Sequence, residues 1–190
     1  MSLIGKAYHA TKTMLKVSFT KLFHWNHFFC GSLPYFKGKV AITISSNSTI
    51  KLANRIKLME GVRLGAINGG ILEIDDRTSI NVGSIIVAHD SIRIGKDCQI
   101  GPYCLIYDHD HKFETAEDLA SQEFKTKPVS IGNNVWIGAN CTILRGTVIG
   151  DHCVIAAGTV VKGVYEPNTI VYEKREIMTR KIGKTKEEKA

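Results

Sequence analysis

Residues 129–161 read VSIGNNVWIGANCTILRGTVIGDHCVIAAGTVV. Every sixth position is aliphatic and β-branched: Ile131, Ile137, Ile143, Ile149, Ile155 and Val161. A six-residue unit is too short for a hairpin or for two turns of helix. It fits one short strand and one corner. Three such units close a triangular coil of about 18 residues, and stacked coils make a parallel β-helix. The aliphatic slot then points inward and meets the same slot one coil away, roughly 4.8 Å along the axis.

Upstream the same period runs through Ile44, Ile50, Ile56, Val62, Asn68, Ile74, Ile80, Ile86 and Ile92. The frame slips by two residues and continues at Ile94, Ile100 and Ile106, so 17 of 18 slots are Ile or Val. The residue after the slot is often glycine (Gly95, Gly101, Gly132, Gly138, Gly150), and Asp97, Asn134 and Asn140 recur two further on. Gly, Asn and Asp tolerate the positive φ that a sharp corner requires. The fifth slot is small: Ser48, Ala66, Thr78, Ser84, Cys98, Cys104, Cys141, Thr147, Cys153 and Thr159. Four of the five cysteines are thereby expected to be buried small residues, with Cys30 outside the repeat. An odd cysteine count without a CxxC pair argues against a disulfide framework or a zinc ribbon.

Repeats cover 44–106 and 129–166, between five and six coils. Residues 107–128, YDHDHKFETAEDLASQEFKTKP, break the period. A long excursion from a rigid scaffold is a place for function. The predicted organisation is an N-terminal amphipathic helical and aromatic segment at 1–40, an all-β coil stack at 41–171 with a loop at 107–128, and a charged helix or tail at 172–190.

In the first segment Ile4, Tyr8, Leu15, Phe19 and Leu22 share one helical face, and Phe23, Trp25, Phe28, Phe29, Tyr35 and Phe36 follow. Two readings stand: a cap over the open end of the coil stack, or a basic surface held against an anionic membrane. The chain has 190 residues and a net charge of +7. Its first acidic residue is Glu60, after nine Lys and Arg, so the excess sits in residues 1–59. No window is apolar enough to span a bilayer and no secretory signal is recognised. A cytoplasmic protein is expected, with peripheral contact at the inner membrane face as one option. Nucleic acid is not an expected partner, because no binding motif accompanies the basic residues.

IGKDCQIGPYCLIYDHDH (94–111) and PVSIGNNVWIGANCTILRGTVIGDHCVIAAGTVV (128–161) resemble the hexapeptide-repeat acyltransferases. The similarity is to the branch with galactoside, maltose and nodulation-factor O-acetyltransferases and to capsule and lipopolysaccharide O-acetyltransferases. The resemblance implies a left-handed β-helix, a homotrimer with active sites between subunits, acetyl-CoA as co-substrate, and transfer to a hydroxyl of a glycan or lipid-linked sugar. It makes His111, nine positions after Pro102, the general base, and places a backbone oxyanion donor near Ala139. Asn81, with Asp108 and His109 in the excursion, falls to the acceptor side. Trp136, Ala139, Ala157 and Lys162 match the stretch lining the CoA channel. The usual Gly-Asn-Pro-Ala-Lys/Arg turn is replaced by VYEKRE (171–176), where Arg175 or Lys174 could meet the 3′-phosphate.

The residues also admit plainer readings. Asp108 and Asp110 either orient an imidazole or satisfy turn backbone. His89 reads as a corner residue, and Trp136 and Lys162 as surface groups. His109 and His111, two apart on an extended segment, point the same way. Without a third ligand at matching spacing, no metal site is assigned. The alternatives to O-acetyl transfer are N-acetylation of a nucleotide amino sugar, a γ-class carbonic-anhydrase-like metalloenzyme on the same fold, and a non-catalytic scaffold.

Overall fold

The computed structural model describes residues 3–179 except 116, 118–120 and 122, with side chains from Tyr8 onward. One helix, α1 (Leu3–Phe23), precedes a stack of coils. Each coil contributes one strand to each of three parallel sheets. The first sheet holds Phe28–Cys30, Thr49–Leu52, Ile71–Ile74, Ser91–Ile94, Val129–Ile131, Val148–Ile149 and Val164–Tyr165. The second holds Tyr35–Phe36, Lys57–Leu58, Ser79–Ile80, Gln99–Ile100, Trp136–Ile137, Val154–Ile155 and Ile170–Val171. The third holds Ala41–Ile44, Arg63–Ala66, Ile85–Ala88, Leu105–Tyr107, Thr142–Ile143 and Val160–Val161. Six complete coils and two strands of a seventh result, a parallel β-solenoid. Coiling starts at Phe28, ahead of the boundary expected at residue 41.

All 17 aliphatic slots are buried, as are all ten small fifth-slot residues, the four cysteines among them. The ladders are visible in the register: Leu58, Ile80, Ile100, Ile137, Ile155 and Val171 stack through the second sheet. In the third sheet, Ile42, Leu64, Ile86, Ile106, Ile143 and Val161 do the same. At roughly 25 cal/mol per Å² of apolar surface removed from water, these ladders are the main stabilising term. The two-residue frame slip has a structural cause: Ser91–Ile94 is long enough to send both Ile92 and Ile94 inward.

The 18-residue coil expected throughout holds only just after the excursion, where Ile131 pairs with Ile149, and shortens to 16 in the last coil, where Ile149 pairs with Tyr165. Earlier coils are longer: Ile50 pairs with Leu72 and Leu72 with Ile92, 22 and 20 residues on. Four-residue strands, rather than two-residue ones, account for the extra length. The extra residues push Asn68 out of the core to an exposed corner, at φ +56°.

Asp97, Asn134 and Asn140 take positive φ at their corners, as their type predicts. The glycines after the slot do not: Gly95, Gly101, Gly132, Gly138 and Gly150 have ordinary φ. They are glycine because adjacent coils touch there. A Cβ on Gly101 would lie 2.7 Å from the Ala139 nitrogen, and one on Gly138 would lie 2.6 Å from that of Ala157.

α1 lies against the first coil. Among its described side chains, Thr13, Val17 and Thr20 are buried. Thr13 Oγ1 accepts the Phe36 N–H at 3.0 Å and donates to the His9 carbonyl at 2.8 Å. The apolar residues singled out in the sequence face the other way: Tyr8, Leu15, Phe19 and Leu22 are exposed. The side chain of Ile4 lies outside the described residues. Beyond Val171 no regular element follows to 179, and the remaining C-terminal residues, 180–190, lie outside the described residues.

Candidate active site

The excursion leaves the third sheet after Tyr107 and returns to the first at Val129. Its base is a two-stranded antiparallel ribbon, His109–His111 against Phe124–Thr126. Ion pairs Lys112–Glu123 and Lys125–Glu114 tie its two arms. At its root Asp108 is wholly buried and accepts the backbone N–H groups of His89 and Asp90, each at 2.8 Å. His109 Nδ1 lies 3.1 Å from the same carboxylate. Burial pushes the Asp108 carboxyl up. The hydrogen bonds from His109, His89 and Asp90 outweigh it and hold the group below the usual carboxylate range. Expected among acceptor contacts, Asp108 instead has both oxygens occupied inside the protein.

His109 stacks on His89, ring centroids 3.7 Å apart. Phe124 touches three imidazoles: His89 at 4.4 Å, His109 at 5.3 Å and His111 at 4.5 Å. His109 and His111 thus meet the same ring, as two positions on one strand face should. Burial, then the neighbouring His109, lowers the pKa of His89 against the opposing pull of Asp108. His111 is exposed, the outermost imidazole of the cluster. A cavity of about 400 Å³ opens beside His89 and Phe124, lined also by Asn68, Glu123 and Thr126. Among the described residues no group of three or more His, Cys, Asp or Glu is placed to hold one metal ion. The face-to-face stacking of His89 and His109 is a reason: their lone pairs lie in near-parallel planes and do not converge. Asp110 pairs with Arg145 from a later coil, a tether between the excursion and the stack.

A second set of expected residues gathers elsewhere. Where the chain passes from the second sheet to the third, Asn81, Ala139 and Ala157 occupy the corners of the third, fifth and sixth coils. Ala139 and Ala157 are brought close by the glycine contacts above. Among the described residues the Ala139 N–H donates to no acceptor, while its carbonyl accepts the Gly158 N–H at 2.7 Å. The Arg175 guanidinium folds back onto the Gly158 carbonyl and pairs with Glu173 at 2.8 Å. A groove of about 280 Å³ runs beside this corner, lined by Lys57, Ser79, Asn81, Gln99 and Trp136 among others. Trp136 is 59% exposed along it.

The structure therefore brings together Asn81, Trp136, Ala139, Ala157 and Arg175 on one side. His109, His111 and Asp108 assemble on another, where the third sheet passes to the first. Lys162 falls at that same third-to-first corner, apart from the other residues matched to a CoA channel, and is exposed. Lys57, Ser79 and Gln99 escaped sequence reading. Their signal was register: Lys57, Ser79, Gln99 and Trp136 are stacked partners on the outer face of one sheet. His89 was missed as a partner of His109 for the same reason, because the two sit one coil apart.

Comparison with known proteins bears on this arrangement. Residues 128–163 match the bacterial transferase hexapeptide family (six repeats). Over 136 residues the chain is 30% identical to WbbJ of Escherichia coli (strain K12), covering 67% of this chain and 69% of that protein. The name of WbbJ assigns it O-acetyl transfer in lipopolysaccharide biosynthesis. A galactoside acetyltransferase solved with coenzyme A superposes with a TM-score of 0.50 at 25% identity, over 75% of this chain and 60% of that one. The N-acyltransferase AntD of Bacillus cereus, solved with dTDP and coenzyme A, shares the fold at a TM-score of 0.66 and 18% identity, over 87% and 89% of the two chains. The repeat, the coil stack and the similarity to WbbJ together place this chain in the hexapeptide-repeat transferase family, among its acetyltransferases.

Proposed function

We propose that the chain transfers an acetyl group from acetyl-CoA to a sugar hydroxyl, in a surface glycan or its lipid-linked precursor, at sites formed between subunits of a homotrimer. The observation that carries the reading is the division of the expected residues between two different corners of the coil. Within one chain the excursion histidines and the Asn81–Ala139–Ala157 corner lie at opposite edges of the third sheet. A neighbouring copy that sets one corner against the other would complete a site. Repetition of that head-to-tail contact closes a ring.

In this reading His111 takes the proton of the acceptor hydroxyl as its oxygen attacks the thioester carbonyl. A neutral imidazole exposed at the tip of an ordered cluster suits that task. The Ala139 N–H, free of other acceptors, stabilises the oxyanion of the tetrahedral intermediate. As the intermediate collapses, the C–S bond breaks and the imidazolium returns its proton to the departing CoA thiolate. Asp108 acts through His109, fixing that ring beneath the acceptor, and Asn81 contacts the acceptor from the groove. Trp136, Ala139 and Ala157 line the path of the CoA arm, and Arg175 or Lys162 meets its phosphates. The name of WbbJ and the coenzyme A bound by galactoside acetyltransferase support the acceptor class and the donor. A reaction fed by acetyl-CoA belongs in the cytoplasm.

The test is thiol release from acetyl-CoA against a panel of glycans, polyprenyl-linked sugars and nucleotide amino sugars. Release with a hydroxyl acceptor is expected. Release with amino sugars alone would move the chain to N-acetylation, and failure of CoA to bind at millimolar concentration would leave only a scaffold.

A further inference from the structure

The orientation of α1 carries a second function. Among its described side chains the buried ones, Thr13, Val17 and Thr20, are spaced four and three apart and include two hydroxyls. Its large side chains are on the opposite face: Tyr8 is 55% exposed, Leu15 65%, Phe19 64% and Leu22 73%. The stripe continues through the last helical residue, Phe23, 65% exposed, and past the helix to Trp25, 81% exposed. There it meets an open apolar cleft of about 470 Å³ lined by Trp25, Phe28, Phe29 and Leu52, with Lys21 at its rim. A helix that only capped the coil end would bury the apolar side and show the polar one. Here the polar side seals the coil and the apolar side is presented outward.

At about 100° per residue, Lys12 and Lys16 run along one edge of the stripe. Lys21 lies about 100° beyond Leu22 on the other side, its ammonium donating to the Cys30 carbonyl at 3.1 Å. The Lys12 ammonium sits 4.5 Å from the centre of the Tyr8 ring. No acidic residue occurs anywhere in residues 1–59. Pairing this face with the same face of a second copy would set lysine against lysine. No helix of the described residues is long and apolar enough to cross a membrane. An outward apolar stripe edged by lysines instead fits a helix lying in the plane of a lipid surface, with its rings among the acyl chains and its ammonium groups among anionic headgroups.

We propose that the outer face of α1, with Trp25 and the adjoining cleft, docks the protein on an anionic lipid bilayer. The docking does not depend on the chemistry proposed above. The full chain is sedimented with vesicles of phosphatidylcholine alone and with phosphatidylglycerol added. Partition is expected onto the anionic vesicles and should weaken as salt rises. The double variant Leu15→Glu/Phe19→Glu should lower it by about 10-fold or more. The triple variant Lys12→Gln/Lys16→Gln/Lys21→Gln should lower it about 100-fold, at roughly fivefold per lysine. Most of these side chains are solvent-facing, and an unchanged circular dichroism spectrum checks that each variant folds. Equal partition onto neutral and anionic vesicles overturns the proposal, as does partition unaffected by either variant. So does a wild-type chain that ignores vesicles while Leu15→Glu/Phe19→Glu shifts its mass by sedimentation velocity, because the occupant is then a second copy.

Discussion

The inner ladders and the excursion root are built from one backbone on different rules. In the ladders each residue meets its own kind one coil away, as Ile86, Ile106 and Ile143 do. Position there is set by repetition, and every neighbour is an equivalent of the last. At the excursion root each contact is unlike: a buried carboxylate, two stacked imidazoles, a phenyl ring and a distant arginine. The chain leaves after Ile92 has found its register and returns only at Val129 to pair with it, 37 residues later. The difference teaches what each region tolerates. The ladder offers many equivalent packing sites, whereas the root depends on single hydrogen bonds without substitutes.

Truncation inside the ladder should have the largest effect on stability. Ile106 is wholly buried between two coils. Ile106→Ala should cost about 2–5 kcal/mol in chemical denaturation. A loss below about 1 kcal/mol would show that the ladder relaxes around cavities and would weaken the contrast. The excursion root comes next. Asp108→Ala leaves the half-buried N–H groups of His89 and Asp90 without their acceptor, at about 1–3 kcal/mol. Amide exchange should then rise at His89 and Asp90 and not in the distant second sheet. Gly138→Ala is expected to cost a similar amount, about 1–3 kcal/mol, because its new Cβ meets backbone and not a movable side chain.

The smallest effect is titration. Burial, then His109, holds the folded-state pKa of His89 below its ordinary value of 6.5. As pH falls below about 6.5 the unfolded chain takes up that proton first, so this contribution is full above that pH and lost beneath it. The Asp108 carboxyl is held low instead, and its contribution lasts until pH falls below the ordinary carboxylate value of 3.8. Thermal midpoints measured from about pH 7.5 to 5 should decline slightly for the wild type, and less for His89→Gln. Equal slopes would detach His89 from the cluster.

The two regions were unequally legible in the sequence. Isoleucine at every sixth position announces a coil because the physics of that slot is the same each time. The first coil escaped because Phe28 and Phe36 fill its interior in place of isoleucine, at a 22-residue spacing. Corner asparagines were read correctly from their tolerance of positive φ. The glycines beside them were credited with the same property, when close approach between coils is what excludes a Cβ. In the site, His111, His109 and Asp108 stood out by their place in a break of the repeat. That Asp108 points inward, and that His89 lies under His109, depends on which coil stacks on which. That follows only once the coil length, variable from 22 to 16 residues, is known. The outward turn of α1 was equally hidden, since an amphipathic pattern does not say which side meets the protein.

The central claim is that this uneven construction delivers one exposed imidazole, at His111, to take the proton of an acceptor hydroxyl. Its most direct test is steady-state acetyl transfer by the wild type and His111→Ala, with acetyl-CoA affinity measured in parallel. The account predicts kcat lower by about 100-fold or more with CoA binding unchanged. Turnover near that of the wild type would contradict it.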